Sequence, residues 1–315
     1  MKKSIVAVWM VILALALSLG NTLQGAEGPI NWGTNIVTAY QKALQEGKPL
    51  VVHLDQYLSG ERTPFCKKMA EETLNGEVLG CYAPHAIFVR VDRNSVDPEV
   101  KKVVDSLQIK DVPVVVLMDA QKEQLKEVVR YTGYYTQDEF LTEFPEGLIK
   151  AVQGIAARNP MPQDAGKAKV AAATTALLAC TEEVSKAAGE WRQVLNNVAD
   201  GNVKDPATLE RAYHKWLLTE EKLAAGYVPF CTLGSKEADE LSVSILKMFR
   251  FEVPLCSKLN VKVQNLMKTS DLGHASAREE IRKLIMDADA ETAKQLESLK
   301  AELSPVAQRF AARYR

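Results

Sequence analysis

The chain has 315 residues, of which 47% are hydrophobic and 25% are charged, enough apolar material for the cores of two ordinary domains. Its formal net charge is −1, and lysine and arginine are spread along the sequence. This pattern excludes the strongly basic surface typical of nucleic-acid binding, so we expect no nucleic-acid partner.

The first 26 residues have the pattern of an export signal. Lys2 and Lys3 form a positive start, Ile5 to Leu19 is an almost unbroken apolar run, and small residues follow it. The run is shorter than the about 20 residues that a membrane-spanning helix needs. We therefore predict a cleaved signal peptide at residues 1–26 and a periplasmic or secreted protein, with an uncleaved N-terminal anchor as the less favoured alternative.

The cysteines and histidines are scattered. None of them lies at the spacing of a metal-ligand pair, so we expect no metal site and no cofactor. The number of cysteines is odd, which leaves at least one thiol unpaired within a monomer. Any pairing among the other four is open at this stage. The five are Cys66, Cys81, Cys180, Cys231 and Cys256.

Residues 32–148 alternate between helical and strand patterns. Apolar runs rich in β-branched residues at 50–54, 87–91 and 114–118 predict three buried strands, and residues 128–131 predict a fourth. Amphipathic segments between them predict helices. This alternation is typical of an α/β sheet.

From residue 165 onward the pattern is helical only. Apolar residues recur every seven positions in three separate stretches, and turn-like residues separate them. We predict an all-α bundle of about four antiparallel helices over residues 166–315, which could also hold a homo-oligomer together. The recurring residues are Leu177, Val184, Trp191, Val198, Leu209, Trp216, Leu223, Ile285, Thr292, Leu299 and Val306.

One motif stands out in the first half. Thr63-Pro64-Phe65-Cys66 follows the first predicted strand and opens a helix, Val112-Pro113 precedes the third strand, and Tyr131-Thr132-Gly133-Tyr134 precedes the closing helix. In this order the features resemble the thioredoxin superfamily, in particular secreted bacterial thioredoxin-like domains. The resemblance covers residues 30–150, and residues 151–165 are the expected linker to the bundle.

The resemblance implies a central mixed sheet flanked by helices. It also implies that Val112-Pro113 is a cis-proline loop that lies beside the active cysteines and receives extended substrate. In the family the motif is Cys-x-x-Cys, but here Thr63 stands at the place of the attacking cysteine and only Cys66 is kept. His53 aligns with the family's buried acid, with Asp55 nearby, and the loop 56–62 is longer than usual.

Two functions follow from this degenerate motif. Dithiol exchange needs a second thiol to resolve the mixed disulfide, so one cysteine cannot complete a local cycle. The first possible function is that of a monothiol redox module, which acts on other envelope or secreted proteins. In it Cys66 is the thiolate, Thr63 is a hydroxyl donor and Val112-Pro113 is the substrate-aligning loop. The alternative is a non-catalytic thioredoxin-fold scaffold for protein–protein interaction, in which Cys66 is a buried core residue.

Overall fold

A computed structural model describes residues 30–74, 77–122, 124–270, 272 and 274–314. The predicted signal peptide lies outside these ranges. Among the described residues the chain forms two compact units, one with residues 30–162 and 228–235 and the other with residues 163–227 and 236–314. No helix within the described ranges has both the length and the hydropathy needed to cross a bilayer.

The first unit alternates helices and strands as predicted. A π-helical turn, Met69–Thr73, continues the helix Pro64–Lys68, and a 3₁₀ turn, Ala83–His85, precedes the strand Ile87–Asp92. The elements in chain order are α1 Ile36–Glu46, β1 Leu50–Asp55, β2 Tyr57–Leu58, β3 Glu61–Arg62, α2 Pro64–Lys68, α3 Glu77–Gly80, β4 Ile87–Asp92, α4 Pro98–Ser106, β5 Val114–Ala120, β6 Leu125–Thr132 and α5 Gln137–Arg158.

Four strands form one mixed sheet in the order β4-β1-β5-β6. Strand β1 pairs in parallel with β4 and antiparallel with β5, and β5 pairs antiparallel with β6. Strands β1 and β5 are buried along almost their whole length, because helices cover both faces of the sheet. This confirms the predicted mixed sheet flanked by helices.

Alternate residues of the strands supply the two cores. On one face Val52, Val89 and Val116 pack with apolar residues of α1 and α4. On the other, Phe88 and Tyr131 meet aromatic rings of α5, with ring centroids 5.2 Å apart for Tyr131 and Phe140. The period-two alternation of a strand sends neighbouring side chains to opposite faces, so continuous apolar runs form these strands.

Gly147 of α5 gives a test of this packing. A Cβ at this position would lie 2.6 Å from Cγ1 of Val129 and closer still to the Tyr131 hydroxyl, so β6 or α5 would have to shift. We expect Gly147→Ala to lower the free energy of unfolding by about 1–3 kcal/mol. The measurement is the urea midpoint at which Cys66, buried in the same unit, becomes accessible to alkylation.

Gly154 on the same helix is the matched control. A Cβ there meets no other atom within 4 Å among the described residues. Because alanine is the better helix former, Gly154→Ala should raise stability by about 0.5–1 kcal/mol. Equal shifts for the two variants would mean that α5 does not pack on β6 as described.

The second unit is a four-helix bundle. Helices α6 and α7 pack together, as do α7 and α9, α9 and α10, and α10 and α6, which closes the ring. This confirms the predicted largely helical second half. The four helices are α6 Gln163–Ala199, α7 Pro206–Gly226, α9 Lys236–Thr269 and α10 Ala275–Tyr314.

The heptad prediction holds for part of α10 only. Ile285 and Thr292 are buried as the seven-residue spacing required, but Leu299 and Val306 are half-exposed. Their places in the core are taken by Leu296 and by residues further along, including Leu303. A straight α-helix has 3.6 residues per turn, so a strict seven-residue stripe drifts around it by about 20° per heptad.

Two local expectations change, the extent of the linker and the unit to which residues 228–235 belong. Helix α5 continues to Arg158, so much of the expected linker 151–165 is helical. Helix α9 contains Pro254. The segment 228–235, with the short helix α8 Val228–Cys231, belongs to the first unit and packs on α5. Cys231 is buried in the first unit and Cys256 in the second.

Candidate functional site

The motif and the proline loop lie at the same end of the sheet. The N–H of Thr63 donates to the carbonyl of Gln56, 3.0 Å away, immediately after β1 ends at Asp55. In the antiparallel register Leu54 pairs with Val114, the residue after Pro113. The end of β1 and the start of β5 are therefore adjacent, which places Thr63 and Pro113 at the same end of the sheet.

The longer loop before the motif is a β-hairpin. Strands β2 and β3 pair Tyr57 with Arg62, and the turn residues Ser59 and Gly60 both have positive φ, 54° and 86°. Two positive φ values are the signature of the tight hairpin turn that matches strand twist, and glycine adopts such angles without strain. The Arg62 guanidinium lies 5.3 Å from the centre of the Tyr57 ring, a contact between the two strands of the hairpin.

Cys66 is buried and Thr63 is not. Helix α2 begins at Pro64, with Thr63 in extended conformation at its N-cap, half-exposed. The side chain of Cys66 points inward with 0% exposure, whereas Phe65 beside it is 64% exposed. The position open to a partner is therefore a threonine followed by an exposed phenylalanine, and the remaining sulfur lies beneath them.

The Val112–Pro113 peptide bond is cis, as the resemblance implied. Pro113 is buried, and its carbonyl accepts a hydrogen bond of 2.9 Å from the N–H of Gly133. Val112 is half-buried, and within the described part of the chain its N–H and C=O make no hydrogen bond. Val112 thus offers one main-chain donor and one acceptor at the end of the sheet that carries the motif.

A buried polar cluster lies beneath the end of the sheet that carries the motif. The carboxylate of Asp55, fully buried, accepts a hydrogen bond of 2.7 Å from Nε of Arg62 and lies 3.7 Å from Nε of Arg90. His53 Nδ1 accepts from Nε of Arg90 at 3.1 Å. The second ring nitrogen, Nε2, is 3.2 Å from Asp55 Oδ1 but out of line for a hydrogen bond. The Trp32 ring covers the Arg90 guanidinium at 4.7 Å.

Burial and the two arginines set the protonation of this cluster. Burial lowers the pKa of His53 well below its ordinary value, and the charges of Arg90 and Arg62 lower it further, so the imidazole is neutral. Burial also raises the pKa of Asp55, and the hydrogen bond and charge of Arg62 offset part of that rise. Arg62 therefore holds the start of the motif to the end of β1.

The basic side chains beside the motif are engaged by other groups. Nε of Arg62 donates to Asp55. Lys68 is similarly engaged, with its Nζ 4.5 Å from the centre of the Tyr134 ring and 3.8 Å from Glu72. The Tyr134 hydroxyl donates to Glu72 at 3.0 Å, which ties the turn after β6 to the helix that carries the motif.

The described residues hold no group of three or more His, Cys, Asp or Glu side chains placed to bind a metal ion. All five cysteines are present as thiols. The chemistry that this face can supply is therefore that of one buried thiol, one threonine hydroxyl and the main chain of Val112.

Comparison with known proteins assigns the first unit to a class. The family model of the thioredoxin-like domain matches residues 36–147. Together with the mixed sheet and the cis-proline loop, this match shows that the first half of the chain is a thioredoxin-like domain.

Two solved structures are similar to the chain. One is the solution structure of a thioredoxin from Thermus thermophilus, which is 18% identical, with a TM-score of 0.34, over 39% of this chain and 91% of that one. The other is a DsbH oxidoreductase, 19% identical, with a TM-score of 0.31, over 41% of this chain and 94% of that one. No curated protein matches the sequence.

Sequence reasoning found the motif but missed the cluster beneath it. His53 and Asp55 were noted one by one, while Arg90 was passed over as part of an apolar strand. A charged residue inside the run Ile87-Phe88-Val89-Arg90-Val91 was the available signal, because a buried guanidinium needs a partner. The partners could not be assigned from the sequence, because parallel pairing of β1 with β4 brings together residues such as His53 and Arg90 that are 37 positions apart.

Proposed function

We propose that this chain is an exported protein whose thioredoxin-like domain is a non-catalytic binding module for other envelope or secreted proteins. The observation that carries the proposal is the full burial of Cys66, together with a threonine at the exposed motif position. A thiol must reach the substrate sulfur in line to exchange disulfides. The monothiol redox function needs that access, and the buried sulfur favours the scaffold instead.

The occupant of the face is proposed to be extended polypeptide. Val112, in the loop before β5, offers an N–H and a C=O to the main chain of an extended partner at the end of the sheet that carries the motif. Phe65, exposed beside Thr63, offers an apolar contact for a partner side chain. Main-chain bonds would provide affinity and Phe65 some selectivity.

Alkylation distinguishes the scaffold from the redox module. The full chain, folded and reduced, is treated with iodoacetamide below pH 8, and each cysteine is followed by mass spectrometry. We expect Cys81, which is partly exposed, to react and Cys66 to react only after denaturant is added. Labelling of Cys66 in the folded chain as fast as Cys81 would favour the redox module.

Photocrosslinking tests the binding face itself. A photoreactive phenylalanine replaces Phe65 in one variant and Val96, 96% exposed and outside the motif, in the other. Cells expressing the variants are irradiated. We expect adducts with other exported proteins from position 65 and few from position 96. Equal yields from both would remove the support for this face.

A further inference from the structure

Two glutamates lie inside the helical bundle. Glu220 on α7 is 0% exposed and Glu252 on α9 is 5% exposed, and these two helices pack on each other. Placing a charged carboxylate in a protein interior costs free energy unless charge partners or hydrogen bonds compensate. The bundle therefore contains two carboxyls whose protonation state affects its packing.

The surroundings of Glu220 do not compensate its charge. Neither of its carboxyl oxygens makes a hydrogen bond within the described structure. The Trp216 indole, one turn earlier on α7, approaches the carboxyl without reaching hydrogen-bond geometry. It offsets only part of the rise in the pKa of Glu220. Trp216 is itself stacked on Trp191 of α6, with centroids 5.2 Å apart, so one wall of the site is aromatic.

The charged groups around the pair come from all four helices. On α7, the negative charge of Glu221 adds to that of Glu252 in raising the pKa of Glu220, after burial as the main cause. On α9, burial and the two glutamates raise the pKa of the Cys256 thiol. The guanidinium of Arg192 on α6 is engaged by Asp289 of α10, with Nη1 2.6 Å from Oδ1.

Burial also raises the pKa values of Tyr227 and of Glu252 itself. Tyr227, at the end of α7, has its pKa raised by burial and then by the neighbouring Cys180 of α6 and by Glu220. Burial raises the pKa of Glu252 to about 7. Near neutral pH the two glutamates therefore retain at least one proton between them.

We propose that Glu220 and Glu252 form a proton-dependent contact between α7 and α9, which is tight while the pair is protonated and loosens when a proton is lost. Loss of the proton leaves a negative charge in an apolar interior. Opening of α7 from α9 relieves this, because water then reaches the carboxylate. The bundle would thus respond to the pH of its compartment, independently of the thioredoxin-like face.

The direction of the pH effect on opening follows from the number of protons that the closed and open states bind. An exposed glutamate releases its proton near pH 4.5, whereas burial raises the pKa of Glu252 to about 7 and that of Glu220 well above its ordinary value. Between these values the open state binds fewer protons than the closed state, so rising pH favours opening. The opening equilibrium should increase by about tenfold per pH unit for one proton released.

Hydrogen exchange on the full chain tests the proposal. Protection of residues 206–226 and 236–269 is measured from pH 5.5 to 7 and corrected for the intrinsic pH dependence of exchange. We expect protection in these segments to fall by about tenfold per pH unit in the wild type. In the double variant Glu220→Gln, Glu252→Gln the slope should disappear, while Glu183→Gln, an exposed change on α6, should keep it.

The thioredoxin-like unit provides an internal reference of opposite sign. Its buried His53 has a lowered pKa, so its stability is complete above about pH 6.5 and falls as pH drops below that value, where the unfolded chain takes up the proton. Protection that is independent of pH in α7 and α9 of the wild type would overturn the proposal. So would an unchanged slope in the double variant.

Discussion

Replacing Thr63 by cysteine is expected to convert this domain into a working dithiol oxidoreductase. The change places a second thiol at the half-exposed N-cap position, three residues before the buried Cys66. The exposed thiol can attack a substrate disulfide, and Cys66 can then resolve the mixed disulfide within the same site. Because the resolving thiol is held in place, we expect turnover at least about 100-fold above wild type.

The measurement is reduction of a protein disulfide such as that of insulin, with dithiothreitol as the electron source. Thr63→Ser, which keeps a hydroxyl at that position, is the matched control and should behave as wild type. The double variant Thr63→Cys, Cys66→Ser should form mixed disulfides without turning over. If Thr63→Cys is no faster than Thr63→Ser, residues 63 and 66 are not placed as in a thioredoxin motif.

A gain of activity would also identify the one chemical group that the wild-type motif lacks for dithiol exchange. The sheet, the cis-proline loop and the inward-facing second cysteine are all in place. The single chemical difference at the motif would then be one sulfur. The wild-type face would be a binding surface that retains the family's architecture without its reaction, in line with the function proposed here.

Asp55→Asn is expected to have the largest effect on stability in the first unit. The substitution removes the fully buried negative charge that binds Arg62 at 2.7 Å and lies close to Arg90, and the two arginine side chains are 24% and 20% exposed. Breaking such a pair by removing one partner costs about 3 kcal/mol or more, since the remaining charges stay in a poorly solvated place. We expect this loss in the free energy of unfolding of the thioredoxin-like unit.

The variant should also release the motif. Arg62 immediately precedes Thr63, so loss of its anchor should free the β2–β3 hairpin and the start of α2. Alkylation of Cys66 as a function of urea measures both effects, as a lower midpoint and as slow labelling without urea. Asp105→Asn, an exposed carboxylate on α4, is the control and should leave both unchanged. A Cys66 that stays protected in Asp55→Asn would show that the ion pair does not hold the motif.

Local sequence patterns were sufficient for most of the first unit. The runs at 50–54, 87–91, 114–118 and 128–131 became β1, β4, β5 and β6, because apolar β-branched residues favour the buried pleated sheet over every alternative. The order of motif, Val112-Pro113 and closing helix was likewise readable. Strand pairing, in contrast, came only from the family resemblance.

Features made by distant residues were not predictable. The hairpin at 57–62 was expected only as a longer loop, although Ser59-Gly60 is a favourable turn. The packing of segment 228–235 on α5 was missed, because its apolar residues fit either unit equally well by composition. Glu220 and Glu252 also gave no signal, since a glutamate in a helix is normally exposed and its burial depends on the rotation of the helix.

The amino-acid order by itself determined the α/β first half, the helical second half and the presence of Thr63 and Cys66 in the motif, because these depend on periodicity and residue identity within short stretches. Only the tertiary structure decided that Cys66 is buried, that Arg62 is bound to Asp55 and that two glutamates share the bundle interior. Burial and charge pairing depend on which surfaces meet, and those surfaces come from residues far apart in the chain.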